Sequence, residues 1–421
     1  MPYGIGGGGL LGIALEVLPP PVQSATVPSA SGGTMASGTY RYYITAVNAN
    51  GETTVSNEQT AVVTGPTGSV ALSWASVTGA TAYRIYRTAA GGAAGTQLFL
   101  AQVTAPTVIY TDTTAVPAGA FPTANTAYDS GTYRAPSKFV PILNESLANT
   151  ENTVFRRPIR ESADVIGAVA GNELAEGDIE MEALEDCIPW FLAAGRMTCT
   201  KTGSAPNYVY TYVPTAQAVP TRTVSITVKR SDQIFGYTGC VISSIKFGIQ
   251  DGMLTFAVHV IARSEASQAA PTSSWATTAP FGAGTYSIEI PTGTAVTDTD
   301  TFEWTVEDNG EAQFRLKNTG RGADFVKFGE RDVTATYSRD FITRADYDLF
   351  KSVTSESITM TASKGTNNQV TLLSPVTVKE SYEVGLSGQG DLNRAQISYR
   401  SMLGTPAAYQ LVVKTQENLP V

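Results

Sequence analysis

GDIEMEALEDCIPWFLAAG, residues Gly177–Gly195, changes its period halfway along. Asp178, Glu180 and Glu182 alternate with Ile179, Met181 and Ala183, the pattern of a strand with one wet and one dry face. Leu184, Cys187, Ile188, Phe191 and Leu192 then fall at i, i+3, i+4, i+7 and i+8, one face of a helix. Pro189 is tolerated only in the first turn, so the helix is predicted to begin near Asp186, and Gly195 is its natural stop. A strand feeding such a helix implies a sheet with the helix laid on it.

The same order is predicted a second time further on. Phe302, Trp304 and Val306 oppose Glu303, Thr305 and Glu307, and Val333, Ala335 and Tyr337 oppose Asp332, Thr334, Thr336 and Ser338. Thr343 is placed to cap a helix carrying Asp346, Leu349, Phe350 and Val353. Three short matches keep their order in the two halves. Asp178–Ala183 is laid on Asp332–Tyr337, Met197–Lys201 on Met360–Lys364, and Gln250–Leu254 on Gly390–Arg394. Their common order favours an internal duplication.

Between Pro19-Pro20-Pro21 and the Pro/Ala/Gly/Thr-rich stretch Val116–Thr126 the strands are short. YRYYITAV (Tyr40–Val47) puts Tyr40, Tyr42, Ile44 and Ala46 on one face. VALSWAS (Val70–Ser76) groups Val70, Leu72 and Trp74, and AYRIYRT (Ala82–Thr88) sets Tyr83, Ile85 and Arg87 opposite Ala82, Arg84 and Tyr86. Turns at Asn50-Gly51, Gly65-Pro66 and Gly91-Gly92 separate these runs, which read together as a small β-sandwich.

With 421 residues the chain is too long for one core. Charged residues make up only 15%, and Lys+Arg 28 against Asp+Glu 37 leaves a net charge of −9. An acidic balance argues against tight nucleic-acid binding, which needs a basic surface. Cys187, Cys199 and Cys240 have no zinc spacing and are too few for a disulfide framework, so they are expected as free thiols. The start lacks a positively charged segment and no apolar run reaches membrane length, so neither a leader nor a span is predicted.

No chemistry stands out. His259, the single histidine, alternates with Thr255, Ala257 and Ile261 against Leu254, Phe256, Val258 and Val260, which describes a half-exposed strand residue. Gly4–Gly9 fits G-x-G-x-x-G formally, but no strand precedes it and no capped helix follows. The acids Glu173, Glu176, Asp178, Glu180, Glu182, Glu185 and Asp186 could form a hydrolytic pair or hold calcium. Their alternation with apolar residues describes a solvated strand face instead. No catalytic residue, cofactor site or metal site is predicted.

The segments SGTYRAPSKFVPILNESL, FRRPIR, GDIEMEALEDCIPWFLAAG, TRTVSITVKRS and GYTGCVISSIKFGIQDGMLTFAVHVIARSEA follow one another within residues 128–266. In this order they are similar to the tail tube (major tail) proteins of long-tailed bacteriophages. FEWTVEDNGEAQFRLKN and ERDVTATYSRDFITRADYDLF look like the second unit of the longer members. GTYRYYITAVNANGE, VALSWASVTGATAYRIYR and VIYTDTT resemble an immunoglobulin or fibronectin type III module, with the Tyr-rich strand ahead of the Trp strand. The expected architecture is therefore mainly β: duplicated tube-type sandwich or barrel units, each with a flanking helix, plus an immunoglobulin-like sandwich. The expected domains are 1–17 (an arm and the first part of the tube domain), 18–127 (the inserted module), 128–270 (first repeat) and 271–421 (second repeat).

The resemblance implies a non-enzymatic virion protein, assembled in the host cytoplasm into stacked rings that form a hollow tube. Its partners would be further copies of itself, in trimeric pseudo-hexameric or hexameric rings, with tape measure, tail terminator and baseplate proteins. Double-stranded DNA would pass without specific binding, no membrane would be engaged, and the inserted module would project outwards. Asp178, Glu180, Glu182, Glu303, Glu307, Asp332, Thr334 and Thr336 are the candidates to line the bore. The alternative is an adhesin binding carbohydrate through Tyr42, Tyr43 or Tyr86; a polysaccharide hydrolase using Glu173–Asp186 stands third.

Overall fold

LLGIAL, the first strand β1 (Leu10–Leu15), is an unbroken apolar run buried along almost its whole length. A Cβ on Gly12 would come within 2.6 Å of the Pro136 side chain, so only glycine fits that point of the strand. The computed structural model describes residues 9–114, 118–157, 164–250, 252–275, 278–315, 320–341, 344–385, 393–405 and 407–419. The expected cap Thr343, the glycines Gly4–Gly8 and most of the match between Gln250–Leu254 and Gly390–Arg394 lie outside these residues. The contacts divide into two units: Glu16–Ser130, and the flanking chain Met1–Leu15 with Gly131–Leu419.

The Glu16–Ser130 unit holds β2 (Val27–Ser29), β3 (Gly38–Val47), β4 (Gln59–Val63), β5 (Ser69–Ser73), β6 (Ala82–Arg87), β7 (Leu98–Thr104) and β8 (Ile109–Asp112). They form two antiparallel sheets, β2-β5-β8 and β4-β3-β6-β7, around one core. Tyr40, Tyr42, Ile44 and Ala46 meet Val70, Leu72, Trp74, Tyr83 and Ile85 there. Tyr42 and Tyr86, considered as exposed carbohydrate contacts, are both buried. Tyr42 faces the core and donates its hydroxyl to Asp112 (2.9 Å), while Tyr86 packs under Phe99 and Phe121 with its hydroxyl on Glu52 (2.5 Å).

The other unit continues with β9 (Lys138–Val140), β10 (Ile142–Glu145), β11 (Ala148–Arg156), β12 (Gly167–Glu182), α1 (Ile188–Leu192), β13 (Met197–Ser204) and β14 (Asn207–Pro214). Then come β15 (Val224–Arg230), β16 (Gln233–Gln250), β17 (Met253–Ala262), β18 (Ser264–Ser267), β19 (Tyr286–Glu289) and β20 (Thr299–Glu307). The remainder is β21 (Gly310–Gln313), β22 (Phe325–Phe328), β23 (Asp332–Asp340), α2 (Ala345–Lys351), β24 (Ser355–Ser363), β25 (Gln369–Val384), β26 (Arg394–Ser401) and β27 (Gln410–Thr415). The protein is mainly β, and its sheets are antiparallel.

One order of pairing occurs twice in this unit. β1, β15, β16, β17, β12 and then β10 with β11 are neighbours in that sequence. β19, β24, β25, β26, β23 and β20 are neighbours in the same sequence, with a helix after β12 and after β23. The irregularities coincide too. Against β15 the ladder of β16 carries an extra residue between Tyr237 and Cys240; against β24 that of β25 carries one between Ser374 and Thr377. Four residues further on, each strand bulges again, at Ser243 between Ile242 and Ser244, and at Glu380 between Lys379 and Ser381. Each bulge bends its strand, and each strand changes partners along its length, β16 from β15 and β18 to β17 and β20, β25 from β24 and β27 to β26.

This correspondence sets Ser244 on Ser381, His259 on Ser398 and Asp178 on Thr336. Laying Asp178 on Asp332 is therefore out of register by four residues; an even slip leaves every side chain on its own face, so alternation cannot detect it. The match of Met197–Lys201 to Met360–Lys364 is overturned. β13 belongs to the β13–β14 hairpin, and the counterpart of β24 is β15.

The helices also differ from expectation. α1 begins at Ile188, not Asp186, places Pro189 in its first turn and is wholly buried. α2 starts after Arg344, has no side-chain cap and no fully buried residue. Val353 lies beyond its end at φ 54°, a left-handed value that terminates the helix.

Cys187 and Cys240 are buried, and burial pushes the half-buried Cys199 thiol up to about 11. Because the thiolate is the reactive form, roughly one Cys199 in a thousand is reactive at pH 8. The folded protein is expected to consume almost no Ellman's reagent at pH 8, and three equivalents once denatured. Fast stoichiometric labelling of the native chain would contradict that burial.

Candidate functional site

β10 and β11, β12, β17, β16, β20, β23, β26 and β25 follow one another as neighbours in one sheet. One face of it is core: Ile179, Val258, Ile245, Val306 and Val333 lie in a row, and Met181, Phe256, Phe247, Trp304 and Ala335 in the next. The rows between them point the other way. Asp178, His259, Ser244, Glu307 and Asp332 are cross-strand neighbours. So are Glu180, Ala257, Lys246, Thr305, Thr334 and Arg400, and likewise Glu182, Thr255, Gly248, Glu303, Thr336 and Ser398.

Strand alternation in three separate segments therefore converges on one surface. Asp178, Glu180, Glu182, Glu303, Glu307, Asp332, Thr334 and Thr336 all stand on this face, although they come from β12, β20 and β23. The sequence reading found β17 through the alternation around His259 but missed β16 and β26, and with them Ser244, Lys246, Ser398 and Arg400. Only the alternation Ser244-Ile245-Lys246-Phe247 in β16 could have signalled that strand's membership.

Opposite charges are matched across strands. Lys246 meets Glu303 at 2.7 Å, Arg400 meets Asp332 at 2.5 Å and Glu380 at 2.9 Å, and His259 Nδ1 lies 2.7 Å from Asp178. These are exposed pairs screened by solvent, and they organise the face more than they stabilise it. Glu180 and Glu182 make no ion pair among the described residues, so the face is acidic. At one end it turns apolar, where Val326 and Phe328 of β22 cover Val241 and Ile261, with Leu174 alongside.

Asp178, His259 and Ser244 stand in line on adjacent strands, an arrangement with the composition of a catalytic triad. The Ser244 hydroxyl, however, donates to Glu307 (2.8 Å), which directs its proton away from an imidazole base. Among the described residues no group of three His, Cys, Asp or Glu side chains could hold a metal ion. No helix among them is long and apolar enough to cross a membrane.

The face of this sheet is thus acidic and rich in hydroxyls. Residues 92–401, nearly three quarters of the sequence, match the family described as phage tail tube protein. The chain belongs to that family, which is a structural component of the virion tail and not an enzyme family. No curated protein matches it.

Proposed function

We propose that the chain polymerises as stacked rings into the hollow tube through which double-stranded DNA leaves the virion, and that its polar sheet face lines the bore. The observation that carries this reading is the sheet itself. It brings acidic and hydroxyl side chains from β12, β20 and β23 onto one surface, and among the described residues the end of β25 beyond Val378 has a ladder only to β26, and β11 only to β12. An unpaired edge is an association site unless something covers it. A wall of carboxylates and hydroxyls with few cations offers phosphates nothing to bind, so a duplex can slide along it.

In this reading residues 128–270 and 271–421, with β1 completing the first, are two ring segments, and three chains supply six of them. The inserted unit, an immunoglobulin-like module, belongs on the outer wall, since a bore that held it would not admit DNA. Tape measure, terminator and baseplate proteins are the partners at the two ends, and assembly takes place in the host cytoplasm.

Electron microscopy of the concentrated protein is expected to show rings or tubes with a bore wide enough for a duplex. In the cross-section Asp178, Glu303, Glu307 and Asp332 should face inwards. A chain that stays monomeric at every concentration, or tubes carrying these acids on the outside, would refute the corresponding half of the proposal.

A further inference from the structure

We infer that the ring closes by repeating, between chains, the β16·β20 junction already present within the chain: the end of β25 pairs antiparallel with the start of β11 in a second copy, Ser381 opposite Thr150 and Glu383 opposite Ala148. This rests on the ring reading above and adds the partner edge and its register.

Within the chain, Ser244–Gly248 of β16 pairs with Glu307–Glu303 of β20, so the fifth strand of the first repeat meets the second strand of the next. The coincident bulges set Ser244-Ile245-Lys246-Phe247-Gly248 on Ser381-Tyr382-Glu383-Val384-Gly385, where the serine and the glycine recur in place. The ladders to β12 and β23 likewise set Glu307 on Thr150, Val306 on Asn149 and Thr305 on Ala148. Both halves of the junction thus exist a second time, and among the described residues Ser381–Val384 has a ladder only to β26 and Ala148–Arg156 only to β12, which leaves the other side of each open to a strand.

Burial records the missing neighbour. In the completed junction Phe247 and Val306 are 0% exposed and Trp304 is 1% exposed. Val384, which takes the place of Phe247, is 39% exposed. Tyr382, in the place of Ile245, is half-buried against Tyr347 and Phe350 of α2, a helix with no fully buried residue. A second copy is the occupant that fits, because its β11 carries the same pairing geometry that β20 supplies inside the chain. Ser381 and Thr150 would both lie on the polar face, as Ser244 and Glu307 do.

The full-length double variant Thr150→Cys/Ser381→Cys tests this, since directly opposed residues lie within reach of a disulfide. Under mild oxidation of assembled material, a non-reducing denaturing gel should show a ladder of covalent multimers that collapses on reduction. The pair Ala148→Cys/Ser381→Cys uses the same face one step out of register, about 7–8 Å apart, and should stay monomeric. If rings or tubes form and the in-register pair stays monomeric, or the shifted pair links as readily, the register is overturned while the ring stands. If neither variant nor the parent chain forms rings at any concentration, both fall together.

Discussion

Lys379→Met is expected to destabilise the Gly131–Leu419 unit by about 3–5 kcal/mol, the scale of removing one partner from a buried ion pair. The Lys379 side chain is 1% exposed, and its ammonium lies 2.6 Å from Glu356, itself 10% exposed. Tyr399 donates its hydroxyl to the same carboxylate (3.1 Å), and burial followed by the neighbouring Tyr337 and Glu356 pushes that hydroxyl well above the usual phenol range. Methionine fills the stem's volume and leaves Glu356 charged in a dry site. The first repeat supplies the control, because Val224, Ile242 and Val260 occupy the corresponding positions. The variant Lys379→Ile/Glu356→Val/Tyr399→Phe should therefore recover most of the loss. Urea denaturation of the parent chain, the single variant and the triple variant measures both effects. A single variant within 1 kcal/mol of the parent would remove the pair from any structural role.

Arg87→Met should produce a loss of similar size, about 3–5 kcal/mol, confined to the Glu16–Ser130 unit. Arg87 and Asp112 are both 0% exposed and meet at 2.7 Å; the guanidinium also donates to the Thr114 carbonyl at 2.8 Å. Tyr42 from β3 and Asp112 from β8 join the two sheets through this carboxylate. Without the cation, Asp112 is left buried with the tyrosine hydroxyl alone facing that oxygen. Since each unit has its own core, the expected result is selective proteolysis within residues 16–130 while the remainder stays resistant. Uniform digestion along the chain would contradict that separation.

The wet and dry faces of β12, β20 and β23 were legible because alternation is a local property: Glu303 beside Trp304 settles both residues without knowledge of a neighbour. Which strand lies next to which was not legible. The adjacency of β16 and β20 brings Lys246 to Glu303 across a long stretch of chain, and nothing near either residue encodes it. Matching by residue type failed for a related reason. Met-Thr-x-x-Lys is ordinary strand chemistry and pointed to β13, whereas the true counterpart of β24 is defined by hydrogen bonds to β25. α2 was found by its period but not its end, since nothing in the residue type announced that Val353 turns left-handed. His259 was rightly placed on a half-exposed face, yet its neighbour Asp178 sits on a strand far earlier in the chain.

The bulges at Ser243 and Glu380 each insert one residue that the partner strand does not match. In β16 the residue numbers that enter the core change parity at each bulge: odd at Tyr237, even at Cys240 and Ile242, odd again from Ile245. Deleting Ser243 would make Ile242, Ser244 and Ile245 consecutive opposite Val260, His259 and Val258, leaving Lys246 on the wet wall and Phe247 in the core but straightening the strand. The bulge therefore fixes where the wall bends, while the alternation of side chains fixes what the wall is made of.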